Sequence, residues 1–210
     1  MALATHPAAP APYGLRFDAG RICLDLLATT HPRERLDALP ALRAWISGSG
    51  LVPPGTPLTH ADPAWPAAFR ELRWHVGQLV RGWLAREAYD LALTRALARV
   101  NEAAARTAPP ALRAVHTHDG TLTRELAGPP SCAELLAEVA RDAVELLTDP
   151  TARAALRQCE GDDCPIVYVD TSRGRRRRWC SSEVCGNRER AARHRRRAAL
   201  HRAPPASDRA

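Results

Sequence analysis

Between residues 64 and 87, the apolar residues Trp65, Phe69, Leu72, Val76, Leu79 and Trp83 recur at alternating steps of four and three. That spacing returns to one side of a 3.6-residue helix, so it predicts an amphipathic helix with one buried stripe. Gly77 and Gly82 lie inside it and weaken the case for an unbroken helix. Residues 90–106 place Leu93, Leu97, Val100 and Ala104 in the same way, and Asp37 to Ser47 places Leu39, Leu42 and Ile46 on one face before Gly48. Ser131-Cys-Ala-Glu134 has capping-box spacing, in which the serine oxygen accepts from the third helical N–H and the glutamate reaches back. It opens a helix carrying Leu135, Leu136, Val139, Ala143, Val144 and Leu147, expected to stop near Asp149-Pro150.

The remaining pattern is shorter. Leu112 to Leu126 reads as a β-hairpin turning at Asp119-Gly120, a pair that tolerates positive φ. Tyr13 to Phe17 is expected to be a short strand turning at Ala19-Gly20. The apolar run Ile22 to Leu27 fits either strand or helix. Four prolines make Leu51 to Pro63 a loop. Residues 1–12, rich in Ala and Pro, and 203–210 are expected to be disordered. Trp74 falls off the main stripe; packing on a second core face is the simpler expectation, with a pocket or a dimer contact as the alternative. Asp25 and Arg73 read either as an internal ion pair or as ligand contacts. The predicted class is α+β: a mostly helical domain over 13–150 with a small hairpin, then a distinct unit over 151–202.

Charge sharpens that division. Residues 1–150 carry a net charge of −1, whereas 151–210 carry +8, and the segment from Arg173 to Arg202 alone carries +10. A neutral body with a strongly basic end is the electrostatic shape of a polyanion binder; a solvated arginine tail is the bland alternative. Every basic residue is arginine, a compositional bias that carries no chemistry by itself. The start lacks the basic and apolar regions of a secretory signal, and no apolar run reaches the roughly 18 residues of a membrane span. A cytoplasmic protein without a membrane partner is therefore expected, and its paired cysteines read as metal ligands rather than disulfides.

Those pairs are Cys159 and Cys164, then Cys180 and Cys185, each separated by four residues. Two matched pairs supply the four thiolates that a structural zinc ion takes in a closed tetrahedron. The alternatives are four unrelated buried cysteines, or a zinc site that doubles as a redox switch. Cys23 and Cys132 sit in apolar patterns and read as core thiols. Between the pairs, Ile166 to Val169 is β-rich, Asp170 to Gly174 supplies a turn, and Arg175 to Trp179 is expected to return as the second strand. Ser181 or Ser182 then caps a helix whose first turn presents Cys185. Knuckle, hairpin and helix make a treble-clef-like zinc module. Four thiolates leave no open position on the metal. With no nucleophile motif, nucleotide loop or carboxylate pair elsewhere, the expectation is a protein that is not an enzyme.

The segment Arg178-Trp-Cys-Ser-Ser-Glu-Val-Cys-Gly-Asn-Arg188 is similar to the signature of the CGNR zinc finger family, and Val169-Asp-Thr-Ser-Arg173 resembles the turn that precedes it there. The N-terminal part resembles the ABATE domain at Gly20-Arg-Ile-Cys-Leu-Asp25, at Leu39 through Leu42 to Trp45, at Leu72-Arg73 and at Val100-Asn101. Ala28-Thr29 stands where family members often carry Asn-Thr, so any ligand contact by that asparagine is not expected here. Over about 13–200, the resemblance implies a stress-responsive transcriptional regulator: a sensing or interaction domain before a DNA-binding finger.

A helix over Ser182 to Leu200 would be roughly 28 Å long, with arginines on most faces. Guanidinium forks suit phosphate oxygens and the guanine edge. Arg175, Arg176, Arg177 and Arg178 of the hairpin, with Arg190, Arg193, Arg195, Arg196 and Arg197 of the helix, are the candidate phosphate contacts. Asn187 and Arg188 are the candidates for base edges, although Asn187 could equally support the zinc knuckle. Trp179 is expected to pack over the zinc site rather than stack on a base. Duplex DNA is the favoured partner; an acidic protein surface, met by a zinc-stabilised adaptor, and RNA are the rivals. The N-terminal domain's small-molecule or protein partner is unspecified, and a homodimer is compatible with the sequence.

Overall fold

The computed structural model describes residues 12–88 and 90–202. Apart from Pro12, the termini expected to be disordered lie outside the described residues. A 3₁₀ turn at Pro12–Gly14 is followed by helices α1 (Ile22–Ala28), α2 (Leu39–Gly48), α3 (Trp65–Ala85) and α4 (Leu91–Ala105). Then come the hairpin β1 (Leu112–His116) and β2 (Leu122–Leu126), helices α5 (Cys132–Thr148) and α6 (Pro150–Ala154), and strands β3 (Leu156–Gln158) and β4 (Val167–Val169). A π-turn at Ser182–Gly186 leads into α7 (Asn187–Arg202). The class is α+β.

The helical body is organised by its stripes. Phe69, Leu72, Val76 and Leu79 of α3 are buried against Leu93, Ala96 and Val100 of α4 and Leu135, Val139 and Ala143 of α5. Burying each large apolar side chain stabilises the fold by about 1.5–3 kcal/mol before ordering costs. Trp45 of α2 meets Phe69 edge to face, centroids 5.8 Å apart. Gly82 does not break α3: a Cβ there would sit 3.0 Å from Leu93 Cδ2, so its bare backbone is what lets α4 approach. The capping box forms as expected, with Ser131 Oγ accepting from Glu134 N–H and Glu134 Oε2 accepting from Ser131 N–H at 2.7 Å. The run that fitted either strand or helix is α1, with Cys23 to Ala28 all buried; a helix covered on every side has no polar face to reveal its period.

Several expectations fail. Tyr13 to Phe17 is not a strand: Tyr13 adopts φ 62° in the 3₁₀ turn, and the chain then runs irregularly to Gly20. Trp74 is 54% exposed, not packed on a second core face, and Trp83, at the end of the stripe, is 44% exposed. Asp25 and Arg73 are not paired. The Asp25 carboxylate accepts from the Ala19 N–H at 3.0 Å; burial pushes its pKa up to about 7 although that bond opposes the rise. Arg73 forks onto Glu34 at 2.5 and 2.8 Å and donates to Thr29 Oγ1 at 2.7 Å. Thr29 thus uses its hydroxyl internally.

The segment 155–185 is welded to this body rather than hung from it. Val169 N–H donates to Ala19 C=O and Asp170 N–H to Ala155 C=O, both at 2.8 Å. Leu156, Ile166, Tyr168 and Val169 join the same buried cluster as the helices. Among the described residues, no helix is long and apolar enough to cross a membrane.

Candidate metal centre and basic helix

The thiol groups of Cys159, Cys164, Cys180 and Cys185 lie within 4.8 Å of one another, and all four residues are buried. A tetrahedron with metal–sulfur bonds of about 2.3 Å has edges of about 3.8 Å. The observed Cys164–Cys180 and Cys180–Cys185 sulfur separations are 3.7 and 3.5 Å. The cluster therefore has the size of a zinc cage and not the S–S length of a disulfide. Its electrostatics ask for a cation. Burial, together with the neighbouring Cys159 sulfur, pushes the Cys164 thiol up to about 11, and burial likewise raises Cys180. A dication at the centre reverses both effects by pairing the thiolates. At Cys159, burial also acts upward but is outweighed by N–H groups that donate to its sulfur, from Cys180 at 3.3 Å and Gly161 at 3.4 Å, and its pKa falls below the ordinary thiol value. Arg16 adds a donor to Cys180 Sγ at 3.3 Å. The residues fit one structural zinc ion, with four thiolates as its ligands.

The local frame differs from the expected hairpin. β4 pairs antiparallel with β3, Leu156 opposite Val169 and Gln158 opposite Val167. Arg175 to Trp179 does not return as a strand, and Arg175 has φ 47°. The reason lies in Asp170, whose carboxylate accepts from Ser172 N–H and Arg177 N–H, both at 3.0 Å. Those bonds curl the chain back too tightly for a ladder. β4's other edge is met by the N-terminal segment at Ala19. Leu156-Arg-Gln158 had no alternation to mark it as a strand.

Ser181 provides the cap, its hydroxyl accepting from Glu183 and Val184 N–H groups, and the π-turn so opened presents Cys185. Trp179 is half-buried and packs at Gly186, next to Cys185, as expected of a side chain covering the metal site.

The candidate arginines separate into two groups. Arg177 is engaged internally: its guanidinium stacks over the Tyr168 ring at 4.4 Å and donates to the carbonyls of Trp179, Asp18 and Cys180. Arg178 is exposed and paired with Glu160. Arg190, also exposed, donates to Asn187 Oδ1 and to Ser182 C=O. Arg188 reaches Asp162 C=O at 3.5 Å. Arg175, Arg176, Arg193, Arg195, Arg196 and Arg197 are exposed, Arg196 lying 3.8 Å from Glu189. At 100° per residue, Arg190, Arg193 and Arg197 fall on one flank of α7 and Arg188 and Arg195 on the opposite flank. Between those flanks lies a face of Asn187, Ala191 and His194, all exposed. The side opposite that face carries half-buried Glu189 and Ala192 near the helix start and exposed Arg196 one turn further on.

The family model ABATE, described as "Putative stress-induced transcription regulator", matches residues 20–150. The model of the CGNR zinc finger matches residues 155–198. No curated protein matches the chain significantly.

Proposed function

Because the chain belongs to the ABATE family and ends in a CGNR zinc finger, we propose that it is a cytoplasmic, zinc-dependent, DNA-binding transcriptional regulator whose N-terminal domain senses a ligand or mediates interactions. The observation that carries this reading is the layout of α7: two flanks of arginine separated by a face of small and polar side chains, on a helix based on the zinc cage. Duplex DNA presents two phosphate walls either side of a major groove wide enough for a helix. Arginines on opposite flanks reach the two walls, while Asn187 and His194 face the base edges and Ala191 lets the backbone approach. Arg176 and Arg178, which share a cleft with Ser181 and Ser182 at the helix start, extend the phosphate contact, joined by exposed Arg175 of the preceding turn. Arg177 and Arg190 act by holding the module's shape. Phosphate contacts fix register and base contacts give sequence preference. Four thiolates close the coordination shell, so the metal's role is structural rather than catalytic.

The test is a salt titration of binding to duplex DNA. If about five phosphates are neutralised, log K falls with log salt at a slope near −4.5. Arg193→Gln with Arg195→Gln, one from each flank, should reduce that slope by about two units if each of the two holds a phosphate. Binding that shows no salt dependence sinks the reading. Equal affinity for duplex RNA, whose deep major groove excludes a helix, would move it to RNA, and tight binding only to an acidic protein surface would move it to an adaptor.

A further inference from the structure

Trp83 completes the apolar stripe of α3, yet the structure leaves it 44% exposed. It lines a cleft of about 680 Å³ between the C-terminal end of α3, the start of α4, the end of α5, and α6 with β3. That volume lies within the range of small-molecule sites, roughly 300–1,000 Å³. The walls have two characters. One is apolar, with Leu93 and Leu156 among its side chains. The other carries Arg86, Arg153 and Arg157, and none of these three forms an ion pair with a carboxylate among the described residues. Arg153 lies over the Trp83 ring at 4.1 Å. Among the described residues of the lining Glu87 is the one acidic group, against three arginines, so these side chains are net positive.

The geometry points to a binding site for a small amphipathic carboxylate: a flat apolar body lying against Trp83 and the leucines, with its carboxylate held by Arg153 and Arg86. A guanidinium fork matches a carboxylate in two parallel hydrogen bonds, and an arginine already stacked on an aromatic face is oriented for that pairing at low entropic cost. Arg157 belongs to β3, two residues before the zinc ligand Cys159. An occupant would therefore touch the helical body and the strand that enters the metal module at once. This assignment gives a ligand class to the sensing role proposed above and rests on that part of it. It does not rest on DNA binding.

The experiment titrates the full-length, zinc-loaded protein, without DNA, with 2-naphthoate and with its neutral isostere 2-naphthamide, read by calorimetry. The acid should bind saturably at one site, and the amide at least about tenfold more weakly, the loss expected for one charge-assisted hydrogen bond. Arg153→Gln and Arg86→Gln should each weaken the acid by about tenfold and leave the amide unchanged. Arg113→Gln, on the distant hairpin, should change neither. Arg153 also donates to Leu147 C=O, so a thermal melt accompanies that variant; Arg86→Gln stands as the independent check. Equal binding of acid and amide, wild-type affinity in both arginine variants, or no saturable binding of the acid overturns the assignment. Because DNA is absent, such a failure leaves the DNA-binding reading standing, and loss of DNA binding leaves this one standing.

Discussion

Helices α5 and α7 are nearly equal in length, 17 and 16 residues, and are stable for opposite reasons. α5 buries Leu135, Ala137, Val139, Ala140, Ala143 and Leu146 and packs on α1, α3 and α4. α7 has no apolar stripe, its chief neighbour is the turn before it, and Arg193 and Arg197 stand at i, i+4, where like charges oppose helix formation. Most helical stability in proteins comes from packing an apolar face. α5 is therefore made by the core, whereas α7 is launched from a metal-held turn and, in the function proposed above, is completed by an anionic partner. The difference predicts where each perturbation is felt.

Removing the metal gives the largest effect. Structural zinc supplies about 10–16 kcal/mol of apparent binding energy at neutral pH, comparable with the whole stability of an ordinary domain. Chelation, or Cys180→Ala, should abolish DNA binding and strip hydrogen-exchange protection from 159–198, while the amides of α5 stay protected. A zinc-free protein with a fully protected α7 would end the contrast between the two helices.

The reciprocal perturbation is Phe69→Ala. Phe69 is fully buried at the centre of the body, and deleting such a ring costs about 3–5 kcal/mol. The melting temperature should drop by roughly 10 °C, with zinc stoichiometry unchanged at one. If zinc is lost together with the fold at the same temperature in both forms, body and module unfold as a single unit, as their shared buried cluster would permit.

A smaller pair of substitutions separates arginines that shape the module from arginines that face solvent. Arg177→Gln removes the stack on Tyr168 and bonds to three carbonyls, and should cost about 1–3 kcal/mol while leaving the salt slope of DNA binding intact. Arg195→Gln should change stability by less than about 0.5 kcal/mol and flatten the slope by about 0.9.

The two regions were also unequally legible. In the helical body, one period runs through α3, α4 and α5, and a capping box marks the start of α5, because burial of a single face imposes that period on the sequence. Legibility failed where burial was complete, as in α1, or where a side chain on the stripe met a cleft and a guanidinium rather than an apolar cover, as at Trp83. In the metal module, the ligands stood out because zinc fixes residue type and spacing. The strand partner did not: β3 is three residues long, Asp170 curls the following chain away from β4 through local bonds, and Ala19 meets β4 from a segment far away in sequence. Nor could spacing separate Arg177 from Arg176, since the carbonyls that hold Arg177 come from the fold.

The smallest contrast lies in the two serine caps. Ser131 and Ser181 each satisfy free N–H groups at a helical start, and loss of such a cap typically costs about 1 kcal/mol. At Ser131 that cost falls on a helix welded into the core, so Ser131→Ala should lower the melting temperature by a few degrees with or without zinc. At Ser181 the turn is pinned by Cys185 when the metal is held, so the same cost should appear as zinc affinity weakened about fivefold, with the body's melting temperature unmoved. Competition with a chromophoric chelator measures the first quantity and calorimetry the second. Should Ser181→Ala shift the melt as Ser131→Ala does and leave zinc affinity alone, the metal is not what holds the base of α7, and the two helices are alike after all.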